Sequence, residues 1–307
     1  MEYSEAIDAF FRAPAPDAPA PRTDADPTPA RRLRDAIEPI AMVSVWSPEA
    51  HERFGALGLD FLAGYVFSRA APLGIAPIPV VVGAFGVFSP AVVGSAYETG
   101  LTTCSHAEVL AAREEGTVAA FHRLLGEPDR DVELVVSALR RGLERAEPTG
   151  RALYAGHSAL DWPGDAWGRL WLATTLLREY RGDGHLAACV AAGLDAVAMN
   201  LLTEAHVGLQ DRSYTASRGW NDAEIAASLE GLADRGLVDR HGVVTDLGRT
   251  LRDDIETATE DSLGTVVDEI GGEIGGVDAV ADRCARWSEQ IVAGGAFPPD
   301  PFKRAAG

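Results

Sequence analysis

From Arg31 onward apolar residues recur at intervals of three and four, and this spacing commits most of the chain to helix. Leu33, Ile37 and Ile40 set the pattern, which gathers them on one face of a 3.6-residue repeat. The breaks between runs carry helix-start signals. Ser47-Pro48-Glu49 combines an N-cap with Pro at the first helical position, Ser89-Pro90 repeats the device, and Ser105 with Glu108 three residues later forms a capping box. Residues 57–71 form an apolar run closed by Pro72, and 131–146 an amphipathic one closed by Glu147-Pro148-Thr149-Gly150. Asp165 to Tyr180 reads as a further helix, interrupted at Arg181-Gly182-Asp183-Gly184, with a second helix from about His185 to Ala205.

Residues 213–261 change rhythm. Ile225, Leu229 and Leu232 mark a helix that ends at Arg235-Gly236. Leu237-Val238 and Val243-Val244 flank His241-Gly242, a tight-hairpin pattern, and Thr245 caps the next helix. Helix, glycine turn, hairpin, helix is the order of a winged helix. The expected fold is therefore mainly α, a multi-helix domain followed by a C-terminal winged-helix module with a small β-hairpin. Three segments are expected. Residues 1–30 comprise an arm, with a short amphipathic helix at 3–12 and a Pro/Ala/Asp linker at 13–30 too poor in apolar surface to order itself. Residues 31–205 form a helical domain with a candidate ligand cavity, and 206–307 carry the winged helix and one or two tail helices.

Charge bears on partners. Asp and Glu number 46 against 27 Lys and Arg, for a net charge of −19, and Lys303 is the only lysine. Within 213–261 five arginines face eleven carboxylates, a balance of −6, and the expected recognition helix from Asp222 to Arg235 carries four acids and one Arg at its far end. Helix-turn-helix proteins contact bases through the N-terminal part of that helix and draw much of their affinity from phosphate neutralisation. DNA is thus a disfavoured partner. A membrane is too: the apolar stretch from Gly74 to Phe88 falls short of the ~20 residues a span needs and is interrupted by Pro77 and Pro79. The acidic N-terminus lacks a signal-peptide pattern, and Cys104, Cys189 and Cys284 form no CxxC pair. The chain reads as cytoplasmic.

Chemistry concentrates in the run from Leu177 to His185 (LREYRGDGH). His185, Glu179 and Asp183 are the acid/base candidates, the carboxylates orienting the imidazole. Arg178 and Arg181 are candidates to bind an anionic ligand group, with Tyr65, Arg69, Tyr154 and His157 completing the cavity lining. A helix corner locked by buried ion pairs accounts for the same residues equally well. Asp183 is expected to cap the second helix, and Arg69 to need a buried carboxylate. Cys104-x-His106 lacks a second ligand pair, so no metal site is read. No P-loop and no GxGxxG after a strand occurs, and no cofactor is expected.

Arg69-Ala70-Ala71-Pro72-Leu73-Gly74, Phe85-x-x-Phe88-x-Pro90, the RGDGH run, Arg218-Gly219-Trp220, and Thr245-x-x-Gly248 with Arg252 and Glu256 resemble the SalK-like helix-turn-helix family of actinobacteria. The likeness spans about 31–264, and RGDGH is its most specific part. It implies a helical fold with a MarR-like winged helix and little about chemistry. The chain departs from the family pattern at Tyr180, where His precedes RGDGH, and around Ala41 and Trp46. A specialised role in secondary metabolism fits those departures. Two functions stay open: a small-molecule-binding protein, with a cofactor-independent acid/base enzyme as its sharper form, and a MarR-like ligand-responsive regulator that binds DNA as a homodimer.

Overall fold

The computed structural model describes Phe11, residues 27–209 and residues 212–300. The helix expected at 3–12, Phe11 apart, and the linker expected at 13–30, up to residue 26, lie outside the described residues.

The helices begin where short polar side chains can cap them. Thr28 caps α1 (Pro29–Ala41), which is followed by the short α2 (Val43–Trp46). Ser47 accepts from the Ala50 amide to open α3 (Pro48–Ala56), and Asp60 opens α4 (Phe61–Ala70), which tightens into a 3-10 turn at Ala71–Leu73. Then come α5 (Ile78–Phe85), α6 (Pro90–Thr103) and α7 (His106–Leu125), the last with the complete Ser105–Glu108 capping box. Asp129 starts α8 (Arg130–Leu143), and a loop leads to α9 (Ala152–Ser158). Satisfying the orphan amides of a first turn is the common physical reason for the starts at Thr28, Ser47, Asp60, Ser105 and Asp129, whereas α2, α5 and α9 have no side-chain cap bond and Ser89, expected to cap α6, makes none either.

Asp165 caps α10 (Ala166–Ala191), a single 26-residue helix. Here the structure corrects the expected break. Arg181-Gly182-Asp183-Gly184 is helical throughout, and the chain turns only at Ala192–Asp195, where α11 (Ala196–Val207) departs at 102°. Asp183 therefore caps no following helix. Its carboxylate reaches sideways and accepts from the Tyr154 amide at 3.0 Å, so it caps the first turn of α9 from outside that helix. Gly184 is small because α10 is tightly packed there: a Cβ would strike Ser262 Oγ and the Arg151 guanidinium.

The chain ends with α12 (Ser213–Ala216), α13 (Asp222–Asp234), α14 (Asp246–Asp261), α15 (Gly264–Glu269) and α16 (Val277–Ala293). The Asn221–Glu224 capping box starts α13, and Thr245 starts α14 as its sequence position predicts. The expected β-hairpin is reduced to one antiparallel bridge, Val238 to Val244, and no strand forms among the described residues. The flanking helices explain the reduction: α13 runs to Asp234 and Thr245 already caps α14, which leaves two or three residues on each side of the turn. In that turn the Asp239 carboxylate accepts from the amides of His241 and Val243, and the Asp239 amide donates to Val243 O.

Apolar side chains bury in two clusters. The larger runs from Leu33 to Tyr180 and takes in the tail from Leu263 to Phe297; in it Trp167 stacks on Phe121 and meets Trp287 edge-on. The tail is fastened to α1, where Ser288 Oγ donates to Ala36 O and Arg32 bridges Asp278 and Asp282. The smaller cluster joins Cys189 and Leu194 to α11, α13, the Val238–Val244 bridge and Ile255 of α14. The N-terminal half of α10 lies in the larger cluster and its last turns in the smaller, so one rigid rod spans both.

Close backbone approach in this assembly is tested at Gly116 of α7. A Cβ there would stand 2.5 Å from Ala50 Cα of α3. Gly116→Ala should lower stability by about 1–3 kcal/mol in a urea titration, despite the better helix propensity of Ala, because neither backbone can yield.

Candidate functional site

The α10 sequence puts residues three and four apart on one face. Arg178, Arg181, Gly182 and His185 thus line a cavity of about 230 Å³, and Asp183 joins them from the edge of that face. Tyr65 and Arg69 enter from α4, Arg31 and Glu38 from α1, Arg218 from the loop before α13, and Arg252 from α14. The apolar wall combines the aromatic Trp46, Phe85, Phe88, Tyr214 and Phe297 with aliphatic side chains such as Met42, Leu186 and Met199. Six arginines and two carboxylates therefore face one interior space in a chain whose net charge is −19.

Two carboxylates just behind the lining fix this arginine layer. Glu179, 2% exposed, accepts both arms of the Arg69 fork at 3.0 and 2.8 Å and Arg178 Nη1 at 3.0 Å. It is the carboxylate that Arg69 was expected to need. Burial opposes its ionisation, but Arg69 and Arg178 outweigh that and hold its carboxyl well below the usual range. Arg178 also donates from Nε to both Glu38 oxygens. Glu256 of α14 plays the same part on the other side, accepting from Arg31, Arg181 and Arg252. It too is kept ionised, against burial, by Arg181 and Arg252.

The three acid/base candidates differ in what their surroundings permit. His185 lines the cavity, yet Nδ1 faces Thr259 Oγ1 at 3.0 Å and Nε2 faces Cys189 Sγ at 3.6 Å. Burial, then the charges of Arg252 and Arg181, lower its pKa to about 3, so the imidazole is neutral at physiological pH. Glu179 is sealed under Arg69 and Arg178. Asp183 is pushed up to about 6 by burial, which the amide bond from Tyr154 only partly offsets. It is the cavity-lining carboxylate whose protonation changes near neutral pH.

Tyr154 and His157 stand behind the lining and not in it. Tyr154 packs edge-on against Tyr180, which carries the Arg151 guanidinium on its face. His157 is fully buried, with Nδ1 on Leu153 O at 2.8 Å and Nε2 on Arg113 Nη1 at 3.1 Å. Burial and Arg113 lower its pKa to about 4. A neutral ring that donates from Nδ1 and accepts at Nε2 satisfies both contacts, and that ring holds Arg113 in the core.

Arg31, Glu38, Arg218, Arg252 and Glu256 belong to the site and were not candidates on sequence grounds. Arg252 and Glu256 read in isolation as an ordinary i,i+4 surface pair. Arg218 is distinctive: it stacks on Tyr214 at 4.0 Å and Phe88 at 5.0 Å and has no carboxylate partner among the described residues. The Nε atoms of Arg181, Arg218 and Arg252 are buried without a hydrogen-bond partner. Among the described residues no three His, Cys, Asp or Glu side chains converge as metal ligands, and no single helix is long and apolar enough to cross a membrane.

A family model described as a helix-turn-helix family matches residues 30–298. The chain belongs to that family, and the match takes in both clusters and the whole arginine layer. No curated protein and no solved structure matches it.

Removing the Glu179 charge tests the layer. Glu179→Gln should cost about 3–5 kcal/mol at pH 7, because Arg69 and Arg178 stay buried without their common counter-ion. The native carboxyl titrates below its unfolded value, so its contribution is complete above the unfolded pKa and fades as pH falls below ~4. In urea titrations the gap between the two proteins should therefore be constant above the unfolded pKa and narrow steadily as pH falls below ~4; a gap that stays unchanged between pH 7 and pH 3 would contradict the assignment.

Proposed function

We propose that the chain is a small-molecule-binding protein whose interior cavity takes an organic anion with an apolar, planar body. The observation that carries this reading is the six-to-two excess of arginine over carboxylate on the lining, set among aromatic walls. Arg218 is half-buried without a carboxylate partner among the described residues, and Arg252, although paired with Glu256, keeps a buried Nε without a hydrogen-bond partner, so an entering carboxylate or phosphate would satisfy donors at both. Tyr65, Arg69, Arg178 and Arg181 then shape the site; Tyr154 and His157 support it from behind.

The sharper form is a cofactor-independent acid/base enzyme of bacterial secondary metabolism. Asp183 is the best-matched group, since a proton-transfer residue works best with a pKa near the operating pH. His185 and Glu179 serve it by position and field. The finer kinship, a SalK-like member with a MarR-like winged helix, is part of the same proposal. The order α11, α12, α13, bridge, α14 fits a winged helix whose wing has shrunk to the Asp239–Gly242 turn.

Membership of a helix-turn-helix family favours a second reading, a ligand-responsive regulator that binds DNA as a homodimer. The charge pattern on α13 weighs against it. Asp222, Glu224, Glu230 and Asp234 are exposed, while Arg235 spends both its terminal nitrogens on Gly193 O and Ala192 O. Arg240, whose Nε donates to His241 Nε2 at 3.1 Å, extends a cation from the turn.

Benzoate should quench tryptophan fluorescence through Trp46, and benzamide, its neutral analogue, should bind at least about tenfold more weakly, the scale of one charge-assisted contact. Arg218→Ala should weaken benzoate by a similar factor. Equal binding of the acid and the amide would exclude an anion site, and a gel shift on the protein's own promoter region at low salt would bring the regulator forward. Between pH 4 and 7 the native protein should lose stability as Asp183 ionises, because its folded pKa is raised and protonation favours the native state. Asp183→Asn should flatten that stretch of the profile in thermal melts.

A further inference from the structure

Gly182 sits mid-helix at a position where glycine has no packing role. The other glycines within α10 are accounted for: a Cβ on Gly168 would press on Pro163, and one on Gly184 on Ser262 and Arg151. A Cβ on Gly182 would meet nothing within 4 Å. Its backbone is ordinary right-handed helix, absent from the positive-φ glycines. An alanine would fit and would favour the helix. The missing side chain opens a space.

That space lies between two chambers. The 230 Å³ cavity is on one side, and a second chamber of about 100 Å³ lies between α1, α10 and α15 on the other. Gly182 lines both, as do Arg69, Arg178, Arg181 and Glu38. The polar groups of the second chamber are thus mainly its shared rim, together with Arg34. Its remaining wall is aliphatic: Leu33, Ile37, Leu177, Leu263 and Val267. No aromatic side chain lines it, in contrast to the large chamber.

We infer that the ligand of this site is an elongated acid, with its anionic, planar end in the large chamber and an aliphatic arm that passes Gly182 into the second. This rests on the anion-binding reading above and adds the class of molecule: an aryl or conjugated carboxylic acid that carries a linear alkyl substituent. Gly182 is the residue that sets arm length, since any side chain there projects into the passage. The rim arginines are compatible with the arm because each already has its counter-ion, Arg69 and Arg178 at Glu179 and Glu38 and Arg181 at Glu256, so an alkyl chain slides over paired guanidinium groups.

The test uses 4-alkylbenzoates, from benzoate to 4-hexylbenzoate, titrated calorimetrically into the full chain. In the native protein affinity should rise roughly fourfold per added methylene until the second chamber is full, the gain expected for burying each CH₂. Gly182→Leu closes the passage, and Val267→Phe fills the chamber from α15; thermal melts establish which variants fold. In either folded variant the ratio of hexylbenzoate to benzoate affinity should collapse toward one. An unchanged ratio in both variants would overturn the inference, since the arm would then lie elsewhere. A native protein that binds benzoate but gains nothing from the alkyl group would overturn it as well, while leaving the anion site standing. If no member of the series binds, the anion-binding reading falls, and this inference with it.

Discussion

The structure depends on paired arginines and carboxylates buried along one side of α10. Glu179 and Glu256 each hold two or more guanidinium groups, and through them tie α1, α4, α10 and α14 together. Pairs of this kind contribute little net stability over a well-packed apolar alternative, because desolvation consumes most of the Coulombic gain. What they supply is geometry. A bidentate fork admits few arrangements, so each arginine is aimed before any ligand arrives.

That pre-organisation gives the molecule an electrical character opposite to its average. The chain carries a net charge of −19, and α13 exposes four carboxylates. The interior collects arginines around a cavity. The two coexist because water and salt screen the surface charge within about 10 Å, while the buried layer is screened far less. Burial and this layer together set proton affinities: burial with Arg252 and Arg181 keeps His185 neutral, Arg69 and Arg178 keep Glu179 charged, and burial raises Asp183 to about 6.

α10 links the site to the smaller apolar core. Its middle carries the arginine layer and its last turns enter the smaller core beside α11 and α14. Arg252 and Glu256 belong to α14, which also contributes Ile255 to that core. Occupancy of the cavity and the seating of α14 therefore involve the same charged groups.

Much of the helical content was legible in the sequence, because caps are local: Ser47, Ser105 and Thr245 satisfy first-turn amides within three residues of themselves. The need for buried counter-ions was legible too, since Arg69, Arg178 and Arg181 stand in apolar runs where a lone cation needs a partner, and each has one. The continuity of α10 was not. Two glycines cost a helix only about 2 kcal/mol together, and the packing of Tyr180, Asp183 and Gly184 against α9 and Ser262 outweighs that sum; no local rule registers contacts with residues thirty or eighty positions away. The hairpin shrank to one bridge because the helices on either side, ending at Asp234 and restarting at Asp246, take up the residues that strands would need. Membership in the cavity was likewise a tertiary decision. Arg218, Arg252 and Glu256 look like surface residues until folding brings three distant helices around one space, whereas His157, polar and conspicuous in sequence, ends as a fully satisfied core ring. Sequence alone determined that this chain is helical, acidic and provided with arginines that need counter-ions; the fold decided which carboxylates answer them, because charge pairing across a core depends on distances that only packing sets.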